Sequence, residues 1–482
     1  MVFGSLFSGL PKPSSRILVA FASQTGAAER IAWLSANALS ADANRMVRVA
    51  SLGGLTVAEI AEAGTLLVVT STYGAGEAPD TARAFARKQM TQMPQLKGLN
   101  YAVLALGDRK YDATFCGFGR GLDRWLASGK ARRLFDIVCV NGDDDDPAMG
   151  KWALQLNRLG ARTSAEALMP GPPQDWVLKE RRLLNPRSPG GEAWHIALVP
   201  KDRGQLNWTA GDIAEIWPRN SQATVEDFLA RHELDGEKSF RWRGQWTYLR
   251  DIVAHSRLPQ PHEVEGLSLA WLVERLQAFP HREYSIASLP ECGLMELLVR
   301  KAVKDDGSLG LGSGWLTRDC LMGAVVKLRL RPNPNFHPPS ANEEGNAPQI
   351  LIGAGTGFAG LRAHLFYRQQ KKLGDAWLLF GERGEAADLY YGDDIKAWQA
   401  DGTLAKTDLV FSRDATPKRY VQHLVAEHGA EIGRWVGERG ASILVCGGLE
   451  MAAGVQEALI AILGEEKLDQ MTQDGLYRRD IY

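Results

Sequence analysis

The stretch ILVAFASQTGAAE, residues 17–29, decides the fold. A near-continuous apolar run gives way to hydroxyl and amide side chains, a glycine, and a helix-like segment Ala27–Leu39. Such a run suits a strand covered by helices on both faces. Four more runs follow at regular intervals: MVRVASL (46–52), LLVVTST (66–72), YAVLALG (101–107) and LFDIVCV (134–140). Helical stretches such as Thr81–Met90 lie between them. The alternation predicts a doubly wound parallel sheet over residues 16–160.

Beyond this sheet the composition shifts twice. MPGPPQD (169–175) and NPRSPGG (185–191) mark residues 161–191 as a linker. Short alternating runs such as WHIALVP and AVVKLRL then predict an antiparallel barrel or sandwich over 192–340, with a more helical insert at about 221–279. A Pro/Asn-rich boundary, 332–348, precedes a second parallel α/β domain, 341–482.

The chain has 482 residues, which suggests about three domains at ~150 residues each. It is 45% hydrophobic and 23% charged, values that exclude disordered and collagen-like chains. No run approaches the roughly 18–20 apolar residues of a membrane span, and Met1–Ser15 lacks the basic start of a secretory signal. Lys plus Arg number 56 against 57 Asp plus Glu, so no basic footprint for nucleic acid exists. Five scattered cysteines without a Cys-x-x-Cys argue against a disulfide scaffold or zinc ribbon and fit a reducing cytoplasm. The 50 glycines, above the ~7% average, gather at loops.

Three of those loops follow strands of the first domain, at the edge where open α/β sheets bind ligands. SQTGAAE (23–29) offers hydroxyls, an amide, Gly26 and a helix start, a cradle for phosphate. STYGAGEAPD (71–80) and LGDRKYDATFCGFG (106–119) place Tyr73 and Tyr111 where they can cover a planar ring. In the middle domain, REYSIAS (282–288) sets Arg282 on a strand as a two-pronged donor for a pyrophosphate, with Tyr284 and Ser285 beside it. GLGSGWL (310–316) adds Gly310 and Ser313 as the second half of a diphosphate clamp. The last domain opens on ILIGAGTGF, whose Gly353, Gly355 and Gly357 allow close backbone approach. SRDATPKRYVQ (412–422) then supplies a hydroxyl, two cations and an aromatic, the set a 2′-phosphate needs.

Taken in order, these motifs resemble those of the diflavin reductases, the family of the NADPH–hemoprotein reductases and the sulfite reductase flavoprotein subunit. The resemblance implies a flavodoxin-like FMN domain, a ferredoxin-reductase-type antiparallel FAD barrel with a shortened helical insert, and an NADP(H)-binding domain. It implies that Ser23, Gln24, Thr25, Gly26 and Ala28 hold the FMN phosphate. Thr72, Tyr73, Gly74, Leu106 and Gly107 would line its ring, with either Tyr111 or Phe115 stacking. FAD would take Arg282, Tyr284, Ser285, Gly310 and Ser313. NADPH would take Gly355, Thr356, Gly357, Arg362, Ser412, Arg413, Lys418, Tyr420 and Gln422. Ser285, Cys446 and Asp480 would steady hydride transfer, and Tyr482 would shield the FAD ring. Two departures stand in the text: Gly360 replaces a proline before Arg362, and Gly448 replaces an aspartate after Cys446.

The implied activity is electron flow from NADPH through FAD and FMN to a separate redox acceptor, a hemoprotein. One alternative is the alpha component of an assimilatory sulfite reductase, partnered by a hemoprotein subunit. Another is a flavin-binding interaction protein without turnover. The acidic run Asp143–Asp146 is either a solvated turn or the docking surface for that acceptor.

Overall fold

A computed structural model describes residues 16–482 apart from 42–44, 143–145, 203, 205, 243–244, 265 and 340–346. The opening segment 1–15 and the acidic side chains of 143–146 lie outside the described residues. Contacts divide the chain into two compact units. One comprises Met1–Gly171 with Glu465–Leu476, the other Pro172–Gly464 with Tyr477–Tyr482.

In the first unit, β1 (Arg16–Ala22), β2 (Met46–Ser51), β3 (Thr65–Ser71), β4 (Asn100–Gly107), β5 (Arg132–Arg133) and β6 (Val138–Asn141) form one parallel sheet. The order is β2-β1-β3-β4-β5, with β6 also on β4, so the chain reverses direction of winding between β1 and β3. Helices on both faces bury the apolar runs in two separate clusters, one around Trp152 and one around Tyr101. The fifth run is not one strand. It breaks between Arg133 and Val138 because Leu134 is buried in the helical layer and Phe135 packs edge-on against Trp152 at 5.8 Å. The helix Glu465–Gln473 joins this unit, where Glu465 and Asp469 both pair with Arg87.

The second unit opens with β7 (Gln174–Leu183), β8 (Ala193–Pro200) and β9 (Ile213–Trp217). After the insert come β14 (Arg282–Ser285), β15 (Met295–Arg300) and β16 (Val325–Arg331). These six strands pair antiparallel in the order β14-β9-β16-β7-β8-β15. Ile286 bridges Leu297, and Ala287 N–H donates to Glu296 O at 2.7 Å, so the two ends of the sheet meet and a barrel closes. The insert carries two hairpins, β10 (Ser239–Trp242) with β11 (Gln245–Tyr248) and β12 (Ser256–Arg257) with β13 (Gln277–Ala278), around a small apolar core of its own. Ser221 Oγ accepts from Thr224 N–H at 3.1 Å and starts its first helix.

A five-stranded parallel sheet ends the chain: β17 (Gln349–Ala354), β18 (Ala376–Glu382), β19 (Leu404–Phe411), β20 (Ser442–Gly447) and β21 (Tyr477–Ile481), ordered β19-β18-β17-β20-β21. Gly357 is required at the first turn, since a Cβ there would lie 2.0 Å from Cys446 O. No helix among the described residues is long and apolar enough to cross a membrane.

Candidate functional site

At the carboxyl edge of the first sheet, β1 ends at Ala22, and the chain passes through Ser23 and Gly26, whose φ of 86° suits glycine, into the helix Ala27–Leu39. Gln24 ties this loop to the next. Its Nε2 donates to Asp80 Oδ2 at 3.0 Å, its Oε1 accepts from Asp80 N–H at 2.9 Å, and its own N–H donates to Ser71 Oγ. The side chain expected at a phosphate is therefore engaged in joining two loops. Ala28 is fully buried and offers only backbone. Thr25 is half-buried beside Gly26.

The second and third loops are packed into each other. Tyr73 exchanges backbone hydrogen bonds with Glu77, and Gly74 and Gly76 take left-handed φ of 52° and 106°. A Cβ on Gly117 would lie 2.9 Å from Gly76 Cα. Of the two candidate stacking rings, Tyr111 is 59% exposed, on backbone that departs from helical geometry (φ −102°, ψ 58°). Phe115 is half-buried, lies against Gly107, and has Arg109 over its ring at 5.4 Å. Thr72 donates its N–H to Leu106 O at 3.0 Å, and its buried Oγ1 has no protein partner among the described residues. An orphan hydroxyl at this edge fits a polar planar ligand.

On the barrel, Arg282 and Tyr284 face the glycine-rich turn. A Cβ on Gly312 would stand 2.6 Å from Arg282 Cγ and 2.7 Å from Tyr284 Oη, so only glycine leaves the cradle open. Arg282 Nη1 donates to the carbonyl oxygens of Pro280 and His281. Ser313 Oγ accepts from Ala302 N–H at 3.0 Å, which fastens the turn after Gly310 to the barrel. Burial raises the Tyr284 phenol, so it remains a donor at any ordinary pH.

Ser285, Cys446 and Asp480 come together. The pairing of β20 with β21 sets Cys446 opposite Asp480. Ser285 Oγ–H donates to Asp480 Oδ2 at 2.6 Å and Cys446 Sγ lies 3.6 Å from the same oxygen. Burial first, then the Asp480 charge, push the Cys446 thiol well above its usual range; burial likewise raises the Asp480 carboxyl. Gly360 completes this packing: a Cβ there would stand 3.2 Å from Cys446 Sγ and 3.1 Å from the Phe336 ring.

Beside this cluster opens a cavity of about 520 Å³. Of the expected residues, Gly355, Thr356, Ser412, Tyr420, Gln422 and Tyr482 line it. Tyr482 Oη bonds Thr356 Oγ1 at 2.7 Å, and the ring is 56% exposed. Gln422 Oε1 is buried without a protein partner among the described residues, an acceptor turned toward the cavity wall. Gly448 also lines it, with open space where a side chain would stand. Arg413 and Lys418 are exposed on the loop and do not line the cavity.

Arg362 is the clearest departure from expectation. It is 6% exposed, paired with Glu296 and with Asp394 at 2.8 Å, and donates to Ala287 O at 2.9 Å. Its guanidinium also lies 4.2 Å from the Tyr391 ring. Its Nε and Nη1 both donate to protein, so it holds the unit together, and it does not line the cavity. Sequence reasoning missed Arg300, which pairs with Glu382 and bonds Tyr390 Oη at 2.8 Å on the cavity wall. Glu382 ends β18, and the ligand-facing position of a strand terminus was the signal that could have found it.

Comparison with known proteins agrees with this layout. A family model described as flavodoxin matches residues 19–154, and one described as an oxidoreductase NAD-binding domain matches 351–457. The chain is similar to the sulfite reductase [NADPH] flavoprotein alpha-component of Bacillus subtilis (strain 168), 29% identical over 98% of this chain and 90% of that protein. The same-named protein of Shewanella sp. (strain ANA-3) is 27% identical over 97% of this chain and 89% of its own length. That alignment spans 554 positions against 482 residues here, so the relative has residues where this chain has none.

Proposed function

We infer that this chain, a member of the diflavin reductase family, is an NADPH-dependent oxidoreductase that holds FMN, FAD and NADPH and passes electrons to a separate hemoprotein. The observation that carries the reading is the meeting of Ser285, Cys446 and Asp480 beside the nucleotide cavity. When bound, the nicotinamide supplies a hydride and the flavins exchange electrons singly or in pairs.

The chain's own part is to bind, orient and exclude water. Ser285 and Cys446 hold the Asp480 carboxylate in one orientation, where it can stabilise positive charge developing beside it. Tyr482, fixed by Thr356 at the cavity wall, would shield the flavin ring there. Ser412, Tyr420 and Gln422 grip the nucleotide, with Arg413 and Lys418 supplying charge for a 2′-phosphate from the solvent side. Arg282 and the backbone from Gly310 to Ser313 take the FAD diphosphate. At the first sheet, the turn through Gly26 would hold the FMN phosphate, with Tyr73 and either Tyr111 or Phe115 beside its ring. We assign these sites to three domains, 16–160, 174–340 and 341–482; the stretch 161–191 is not a linker throughout, since β7 within it pairs with β8 and β16 as part of the barrel.

A sulfite reductase hemoprotein subunit is the acceptor that the relatives' names favour. Five free cysteines support residence in a reducing cytoplasm. Anaerobic mixing with NADPH should bleach the flavin absorbance far faster than mixing with NADH. Bleaching at equal rates would refute the nucleotide assignment. Sulfide production on adding a sulfite reductase hemoprotein subunit would identify the acceptor, and reduction of other hemoproteins alone would exclude it.

A further inference from the structure

Cys116 and Cys139 have no role in the site described above. Cys139 lies on β6, opposite Ala105 of β4. Cys116 precedes the helix Gly117–Ser128 with a left-handed φ of 57°, and its side chain turns back onto the sheet. There Sγ donates to Ala105 O at 3.1 Å and lies 4.0 Å from Val140 O. One carbonyl belongs to the cross-strand partner of Cys139 and the other to its chain neighbour. Both cysteines pack into the same apolar cluster, so the two thiols share one face of the sheet.

Their surroundings differ. Cys116 is fully buried, whereas Cys139 is half-buried and open to small solutes. The neighbouring Cys116 thiol brings the Cys139 thiol down to about 7 against the effect of burial, helped by the Arg120 and Arg109 charges. In turn, the neighbouring Cys139 and burial push Cys116 up. A half-exposed thiolate beside cations is the reactive form of cysteine. Arg120 also donates to Phe115 O at 3.1 Å, so the pair lies directly behind the loop that bears Tyr111 and Phe115.

We propose that Cys139 and Cys116 form a peroxide-reactive dithiol site, with Cys139 the attacking sulfur and Cys116 the resolving one. In the first step the Cys139 thiolate attacks hydrogen peroxide. The O–O bond breaks, a sulfenic acid forms, and the departing hydroxide takes a proton to leave as water. In the second, Cys116 sulfur attacks the sulfenic sulfur, the S–O bond breaks, and the Cys116 proton leaves with the hydroxide as a second water. Two thiols lose two electrons and one peroxide gains them.

The test is stepwise addition of hydrogen peroxide to the holoenzyme, followed by thiol blocking and peptide mass mapping. A Cys116–Cys139 cross-linked peptide, lighter by two hydrogens, should appear at a peroxide dose on the order of tenfold below that oxidising exposed Cys292, following the thiolate fractions. In Cys116→Ser, dimedone should trap a sulfenic acid on Cys139 and no cross-link should form. In Cys139→Ser, Cys116 should stay reduced. Oxidation of Cys292 while both remain thiols in the wild type, or oxidation of Cys116 in Cys139→Ser, would overturn the proposal.

Discussion

Ser285 and Asp480 stand 195 positions apart in the chain and share a hydrogen bond of 2.6 Å. One comes from the barrel and the other from the edge strand of the nucleotide-binding sheet, so the contact exists only when both are folded and packed.

Ser285→Ala and Asp480→Asn should each slow flavin bleaching by NADPH at least about tenfold, the scale of losing one oriented group near the reacting atoms. Flavin content should be unchanged. Stopped-flow absorbance separates the two effects, and loss of FAD from either variant would mean a structural role alone.

Tyr111→Ala should weaken FMN binding by roughly 2- to 13-fold, matching ~0.5–1.5 kcal/mol for one stacked ring. Phe115→Ala should instead lower the thermal stability of the first unit, because that ring is packed on Gly107. Fluorimetric titration of FMN and a melting curve distinguish them.

Removing both loop cations, Arg413→Ala with Lys418→Ala, should cut the preference for NADPH over NADH about a hundredfold or more, at ~1.5–3 kcal/mol for each of two charged hydrogen bonds. The ratio of kcat/KM values is the measurement. An unchanged ratio would shift the role to Arg383 and Arg419 on the cavity wall.

Arg362→Ala should cost about 3–5 kcal/mol of stability, since it strands two buried or half-buried carboxylates. Urea unfolding of the variant should show an earlier transition for the second unit and an unchanged one for the first.

His364 gives a pH dependence. It is fully buried, its Nε2–H donates to Phe336 O at 2.9 Å, and burial holds its pKa at about 3. The folded state therefore binds its proton less readily than the unfolded chain, whose histidine titrates near 6.5. Its contribution is present above pH ~6.5 and fades as pH falls from there toward 3, by on the order of 4 kcal/mol in all. His364→Gln should flatten this part of the acid-unfolding curve, and an unchanged slope would contradict the assignment.

Much of this molecule is legible in its sequence because period and punctuation carry it. Continuous apolar runs between helices gave the two parallel sheets, Gly26 marked a turn with left-handed backbone, and Gly312 and Gly357 marked turns where a Cβ has no room. The split of the fifth strand was not legible, because Leu134 and Phe135 look like strand residues until Trp152 is known to face them. Arg362 was misread for a similar reason. An arginine near a glycine-rich turn suits a phosphate, and nothing local reveals Glu296 or Asp394. Gly360 reads as an absence in the sequence, yet it stands where Cys446 leaves no space.

The barrel and the final sheet are riveted by Arg362, which reaches Glu296 on β15, the Ala287 carbonyl after β14, and Asp394 beyond β18. That junction bears on chimaeras. A nucleotide-binding domain transplanted from a relative onto this barrel would bring its own residue at position 362 to face the Glu296 that this barrel keeps. Interchangeable parts must be cut so that both halves of the rivet travel together.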